Sequence, residues 1–299
     1  MSEVALAVKQ FKDNLEISLQ QRDSRLAIRS TQSSYTGEGA RMLARLSALS
    51  MQELTTKRDP LVFQETTWED RWTFPQYWDI ALQLDKIEQA QSFQDPKSTF
   101  VEGVRAAIER KKDEVFLASI FSTALTGKNG TTSTTWASEG SAQVVLQTVG
   151  SGAAASRMNV AKLQAALKIL KKNNVDRSYE DIFVGLDAEQ VEGLYQEAVF
   201  ISKEYTADAF KRNDQGIITD FMGFKFVEIE GLPNDGTYTR VPVWTRSSMD
   251  FGTWDSPMID MFQDKATRGQ PWTLYAYQSF GGARRDPKKI VEIKCKTTA

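Results

Sequence analysis

Residues 96–127, PKSTFVEGVRAAIERKKDEVFLASIFSTALTG, carry the longest helical pattern in the chain. Asp95 stands where an N-cap belongs and Pro96 at the first helical position, where a missing N–H costs nothing. Val101, Val104, Ile108, Val115 and Ala118 recur at helical spacing, while Glu102, Arg105, Glu109, Arg110, Lys112 and Asp113 fill the other face. Val115–Phe121 is apolar nearly all round, which predicts burial. A helix over 96–125, stopped by Gly127 and an Asn129-Gly130 turn, would be about 45 Å long, more than an ordinary domain core needs. It reads as a spine.

Upstream lies a second unusual stretch. From Trp68 the even positions run Trp68, Trp72, Phe74, Trp78, Ile80, Leu82 and Leu84, with mostly polar residues between them. This period-2 alternation predicts a long strand with one apolar face, bent or at a sheet edge because of Pro75. Gly39–Leu49 and Thr55–Thr67 are candidates for the returning strand, with Lys57 and Arg58 near the tip. A two-stranded hairpin is marginal alone in water, and three tryptophans within one strand leave a large apolar patch. The face is therefore either an ordinary sheet edge or an arm packed against another copy, and tryptophan with arginine suits the second. Further upstream, Val4, Val8, Phe11, Leu15 and Leu19 mark an amphipathic helix, frayed at the surface or ordered against a partner, before an extended Ser30–Thr36.

Downstream, Lys128–Ser156 reads as loop or small hairpin, and residues 157–173 as an amphipathic helix with Val160, Leu163, Leu167 and Leu170 inside. Ile182-Phe183-Val184 is a short buried strand, and Asp187-x-x-Gln190 resembles a capping box opening a second helix. Turns at Gly223 and Gly231 frame a strand over Phe224–Ile229; Val241–Thr245, Trp272–Phe280 and Ile290–Cys295 are further strands, the second broken at Gly281-Gly282.

Composition removes whole classes of chemistry. The 299 residues allow one large domain or two modest ones. They contain no histidine, which excludes imidazole-based catalysis and metal binding. The one cysteine, Cys295, has no disulfide partner and reads as a packing residue. Neither a phosphate-binding GxxxxGK[ST] nor a dinucleotide GxGxxG is present. With 37 basic and 39 acidic side chains the chain is no strongly basic nucleic-acid binder. No apolar run approaches the roughly 18 residues of a membrane span, and the first thirty residues are too charged for a signal peptide. No catalytic residue, cofactor, metal or membrane is expected.

The order of these elements is similar to that of tailed-bacteriophage major capsid proteins. The landmarks are Trp78-Asp79-Ile80-Ala81, Asp85-Lys86-Ile87, the Pro-initiated spine, Met222-Gly223-Phe224 to Leu232-Pro233, and Gly282-Ala283-Arg284 before Ile290–Ile293. The resemblance implies an α+β chain of the Hong Kong 97 type, divided into an N-arm (1–36), an E-loop hairpin (37–86), a P-domain (87–130 and 234–299) and an α/β A-domain (131–233). It implies a shell protein that closes through hexamers and pentamers into an icosahedral head around double-stranded DNA, without sequence-specific binding. Implied partners are further copies of the chain, a portal protein, in some relatives decoration proteins, and, the arm being short, a separate scaffolding protein. The place implied is the virion, with the host cytoplasm during assembly. An encapsulin-like compartment shares the fold. A glycoside hydrolase built on Glu65, Glu69, Asp70 and Asp79 is disfavoured because Glu69 and Asp70 point to opposite strand faces.

The residues expected at subunit contacts are Arg41, Arg45, Lys57, Arg58, Trp68, Glu69, Arg71 and Trp72 on the hairpin, meeting Arg105, Glu109, Arg110, Lys112 and Asp113 on the spine.

Overall fold

A computed structural model of the chain describes residues 21–46, 49–53, 61, 63–66, 68–84, 97–197, 210–212, 218–266 and 270–297. The expected N-terminal helix, Lys57, Arg58, the Asp85-Lys86-Ile87 landmark and the Asp95-Pro96 cap lie outside them. In chain order the elements are β1 (Thr31–Ser34), β2 (Ala40–Leu46), β3 (Trp68–Thr73), β4 (Gln76–Leu84), α1 (Lys97–Phe121), β5 (Ala124–Thr126), β6 (Thr132–Thr134), α2 (Trp136–Glu139), β7 (Val144–Val145), α3 (Val160–Lys172), β8 (Ile182–Leu186), α4 (Ala188–Tyr195), β9 (Phe210–Arg212), β10 (Ile218–Phe221), β11 (Phe224–Glu228), β12 (Tyr238–Thr245), β13 (Met249–Thr253), β14 (Met258–Gln263), β15 (Trp272–Arg284) and β16 (Val291–Lys296). They divide into two compact units.

The smaller unit holds residues 77–111 and 255–278. β14 pairs antiparallel with the first half of β15, from Met258↔Tyr277 to Gln263↔Trp272, and β4 also pairs with β15. Val104 of α1 is buried with Leu274 and Ala276, and Ile80, Leu82, Ile108, Ile259 and Met261 pack around them. The even-numbered face of β4 thus meets the helix, as its alternation requires.

The larger unit holds residues 24–76, 112–254 and 279–299. Its main sheet has the order β7-β16-β12-β8-β11-β10-β9. β8 and β11 run parallel, Phe224↔Ile182 to Glu228↔Leu186, with α4 in the connection between them. Asn159 caps α3 by accepting from the Lys162 N–H, and Asp187 caps α4 by accepting from the Gln190 N–H at 2.8 Å. The Gln190 side chain does not complete the box; its oxygen accepts from the Met158 N–H at 2.8 Å. Trp244 lies at the centre of the core, edge-on to Phe116 and tilted against Phe183. Val115, Phe116, Leu117, Ile120 and Phe121 are all buried there, while Ala118 faces solvent. Cys295 is fully buried beside Lys162, and burial pushes its thiol up to about 12.

Three expectations are corrected. The helix ends at Phe121, not near residue 125, because Ala124–Thr126 is claimed by a second sheet of order β2-β3-β5-β6, with Arg71↔Thr126 and Trp72↔Leu125 paired. The strand expected from Trp68 is two strands interrupted at Phe74-Pro75, and in β3 it is the odd residues Arg71 and Thr73 that are buried. β15 runs straight through Gly281-Gly282. These glycines keep a strand close to its neighbours rather than breaking it: a Cβ on Gly281 would sit 2.6 Å from the Phe74 carbonyl oxygen, and one on Gly282 2.7 Å from Ser119 Oγ.

The N-terminal segment is pinned at two places. The Asp113 carboxylate accepts from the N–H groups of Arg25 (2.7 Å), Leu26 (2.9 Å) and Ala27 (3.3 Å) and from Ser24 Oγ (2.6 Å). Beyond this turn, β1 adds in parallel to β13. Tyr35 donates to Asp250 at 2.9 Å, and its ring stacks on Trp254 over the space that Gly252 leaves.

Gly281→Ala should lower stability by about 1–3 kcal/mol, since backbone rather than a movable side chain meets the new methyl. Gly103→Ala, in open space on α1, should raise it by about 0.5–1 kcal/mol; chemical denaturation of both variants checks the pair. Burial raises the Asp250 pKa against the donations from Tyr35 and Ser33. The folded state therefore binds its proton more tightly than the unfolded state, and this group's contribution falls as pH rises from the ordinary aspartate range through the raised value. Asp250→Asn should flatten the dependence of Tm on pH across that window.

Candidate assembly surface

The hairpin of β2 and β3 is antiparallel, from Ala40↔Thr73 to Leu46↔Trp68, with an irregularity between Arg41 and Leu43. Its near end is tied into the subunit. Trp72 Nε1 donates to the Gly127 carbonyl at 2.8 Å, and the Trp72 and Phe74 side chains close over Gly130. At the other end Leu46 is exposed. Trp68 is 64% exposed, and Leu49 and Phe63 are exposed as well.

Beneath the near end lies a buried ionic junction. Arg71, 2% exposed, reaches Glu69 at 2.7 Å and Glu139 at 2.6 Å. Arg284 shares the other Glu139 oxygen, with its Nη2 at 3.0 Å and Nε at 3.2 Å, and lies over the Trp136 ring. Its Nη1 donates to the carbonyls of Ile120 (2.8 Å) and Ser122 (3.0 Å), closing the C-terminal end of α1. Burial pulls the Arg284 pKa below its ordinary value while Glu139 opposes the shift. A second pair stands alongside: Arg240 binds Glu292 through Nε at 2.8 Å and Nη2 at 3.1 Å, and Trp136 donates to the same carboxylate at 2.5 Å. A cleft of about 460 Å³ opens above this pair, walled by Phe121, Trp136 and Tyr238.

The structure separates the expected contact residues. Arg41 is exposed and pairs with Asp70 at 2.6 Å, and Glu69 is engaged by Arg71, so two of the four carboxylates considered for hydrolysis are held by arginines of their own sheet. Trp68 is outward and Trp72 half-buried. Arg45 lies on β2 opposite Glu69. On α1, Arg105 is exposed, while Glu109, Arg110 and Lys112 are half-buried and engaged in interactions of their own. Arg71 and Asp113 are corrected: both are 2% exposed, one spent on Glu139 and the other on the N-terminal turn, so neither side chain lies on a contact surface. Glu139 and Glu292 were missed. Glu139, closing a one-turn helix, and Glu292, within a strand, carry no periodic signal in the sequence.

The sequence matches the phage capsid protein family over residues 4–297. The chain belongs to the phage capsid protein family. No curated protein matches it. Solved capsids share its fold at low identity. That of cyanophage P-SCSP1u superposes with a TM-score of 0.69 at 12% identity over 98% of this chain and 94% of that one. The capsid of Ralstonia phage GP4 gives 0.69 at 11% over 100% and 99%. The capsid of an empty GTA particle gives 0.68 at 12% over 99% and 98%. The fold is thus of the Hong Kong 97 type, and the protein is a structural component of a virion shell built from copies of itself. Among the described residues no three metal-ligating side chains cluster, and no helix is long and apolar enough to cross a membrane.

Glu139→Ala should cost about 3–5 kcal/mol, because it leaves two buried guanidiniums without their shared carboxylate. Glu139→Gln, which keeps an oxygen facing Arg284, should cost less than Glu139→Ala, as read from urea midpoints.

Proposed function

We propose that this chain is the major shell subunit of a tailed-phage head, closing through hexamers and pentamers into an icosahedral shell that holds double-stranded DNA without reading its sequence. The observation that carries the reading is the exposed end of the β2–β3 hairpin. Trp68 is 64% exposed and Phe63 87%, an apolar surface that the subunit itself leaves uncovered. In this reading residues 1–36 are the arm, 37–86 the hairpin that reaches a neighbour, 87–130 with 234–299 the peripheral domain and 131–233 the axial domain. The contact residues are Arg41, Arg45, Lys57, Arg58, Trp68, Glu69 and Trp72 on the hairpin, received by Arg105, Glu109, Arg110 and Lys112 on a neighbour's α1. Each exposed ion pair contributes below about 1 kcal/mol, and the many repeats in a shell make the sum. A scaffolding protein, a portal protein and, in some shells, decoration proteins are the further partners, and assembly takes place in the host cytoplasm. The role is structural, not enzymatic.

Electron microscopy of the expressed chain, with its scaffolding partner supplied, should show closed shells; a chain that remains monomeric or dimeric at high concentration overturns the reading. Trp68→Ala should reduce shell yield several-fold while changing subunit stability by less than about 0.5 kcal/mol. Trp72→Ala, which also loses the bond to Gly127 and the packing over Gly130, should cost about 2 kcal/mol in the subunit itself.

A further inference from the structure

Four arginines gather around the pinned N-terminal segment. Arg25 Nη1 donates to the Glu228 carbonyl at 2.8 Å, and Arg29 Nη1 to the Arg25 carbonyl. Arg246 Nε reaches the Ser30 carbonyl at 3.4 Å, and Arg285 Nη1 reaches Thr31 Oγ1 at 3.5 Å. Thr31 in turn donates to the Arg246 carbonyl at 3.2 Å, so Arg29, Arg246 and Arg285 bond within or against residues 25–31, and Arg25 ties the same segment to Glu228. Their hydrogen bonds go to uncharged oxygens, and among the described residues none has a carboxylate within ion-pair distance, although the Asp113 charge acts on Arg29 and the Asp250 charge on Arg285 from farther off. The nearby acids are committed elsewhere. Asp113 is buried beneath the N-terminal turn, Asp250 takes the Tyr35 hydroxyl, Glu180 takes Lys289 and Ser247, and Glu230 accepts from the Ala188 N–H. Glu228 adjoins Arg25 in a small hollow but forms no ion pair with it. Arg25 and Arg246 are exposed, Arg29 and Arg285 half-buried, and Arg285 Nε is a donor with no acceptor.

Burying a donor without an acceptor costs free energy, and guanidinium groups without carboxylates are poised for an external oxyanion. In a chain of net charge −2, four arginines gathered without a direct ion pair among the described residues are a local exception that composition conceals. We propose that Arg25, Arg29, Arg246 and Arg285 form a phosphate-binding surface for the DNA backbone, which makes the face carrying the base of the N-terminal arm the inner wall of the shell. The inference rests on the shell reading above and adds to it the side that meets the genome. Planar forks anchored to backbone hold position on a repeating array of phosphates without touching base edges, so binding is independent of sequence. Four contacts also keep it weak enough for a genome that must slide during packaging.

The test measures binding of a short random-sequence DNA duplex to purified, unassembled full-length chain as salt is varied. With four phosphate contacts, raising salt from about 50 to about 200 mM should weaken binding about 150-fold. In Arg25→Gln/Arg246→Gln, with two contacts left, the same change should weaken it only about 12-fold. Arg25→Lys/Arg246→Lys keeps the charges and should retain most of the salt dependence. A glutamine variant that binds with the wild-type salt dependence overturns the proposal. So does a lysine variant that loses as much as the glutamine one, since the effect is then one of folding. Equal loss in Lys168→Gln/Lys171→Gln/Lys172→Gln, on the outer face of α3, shows general charge rather than this surface. Polyglutamate that competes with the duplex at equal charge concentration reassigns the patch to an acidic protein. Shell formation by the wild-type chain is scored separately by microscopy, so failure of the shell reading and failure of this surface give different results.

Discussion

The guanidinium of Arg284 is the contact on which the larger unit depends. An α-helix ends with carbonyls that have no partner in the helix, and α1 ends at the buried Ile120 and Phe121, beside the exposed Ser122. Arg284 takes the Ile120 and Ser122 carbonyls with one nitrogen and binds Glu139 with the others. Glu139 then neutralises Arg71 on the hairpin strand β3. One side chain thereby joins the end of the spine helix, the strand β15 that carries it, the short helix α2 and the root of the hairpin. Gly281 and Gly282 belong to the same constraint, because they bring β15 close enough to Phe74 and Ser119 for Arg284 to reach.

Charge is used in two ways across the molecule. Arg71, Arg284, Arg240, Glu139, Glu292 and Asp113 are spent on partners within the subunit, although Arg71 Nε and Nη1 find no acceptor, and such pairs fix the angle at which elements meet more than they add net stability. The arginines around Ser30 and Thr31 form no direct ion pair among the described residues, and two of them, Arg25 and Arg246, are exposed. Apolar surface follows a similar division: Trp244, Phe116 and Phe121 fill the core, while Trp68 and Phe63 stand in the open. A subunit that must hold its own shape and also join many copies of itself needs both, a locked root and an uncovered edge.

Much of the fold could be read before any coordinates. The helical period of residues 97–121, the alternation over Gln76–Leu84, the strands at 182–186 and 291–296 and the N-cap at Asp187 are all local signals, because side-chain spacing and capping chemistry act within a few residues. The order of these elements, with the Gly282-Ala283-Arg284 landmark, sufficed to place the chain among capsid proteins. The candidate site was legible in part. Trp68 is on the surface as its setting implied, but Arg71 and Asp113 looked like surface charges and are the most deeply committed ones.

What the sequence by itself determined is therefore the set of elements and the absence of histidine chemistry. Where α1 stops, which face of β3 is buried and which charges are spent within the subunit were decided only in three dimensions. Each of those outcomes depends on a partner far away in the chain: Thr126 on Arg71, Glu139 on Arg284, the Leu26 amide on Asp113. A charged residue's spacing records only that it is polar. Whether it meets solvent, a buried carboxylate or a row of backbone amides is set by what the folded chain brings against it.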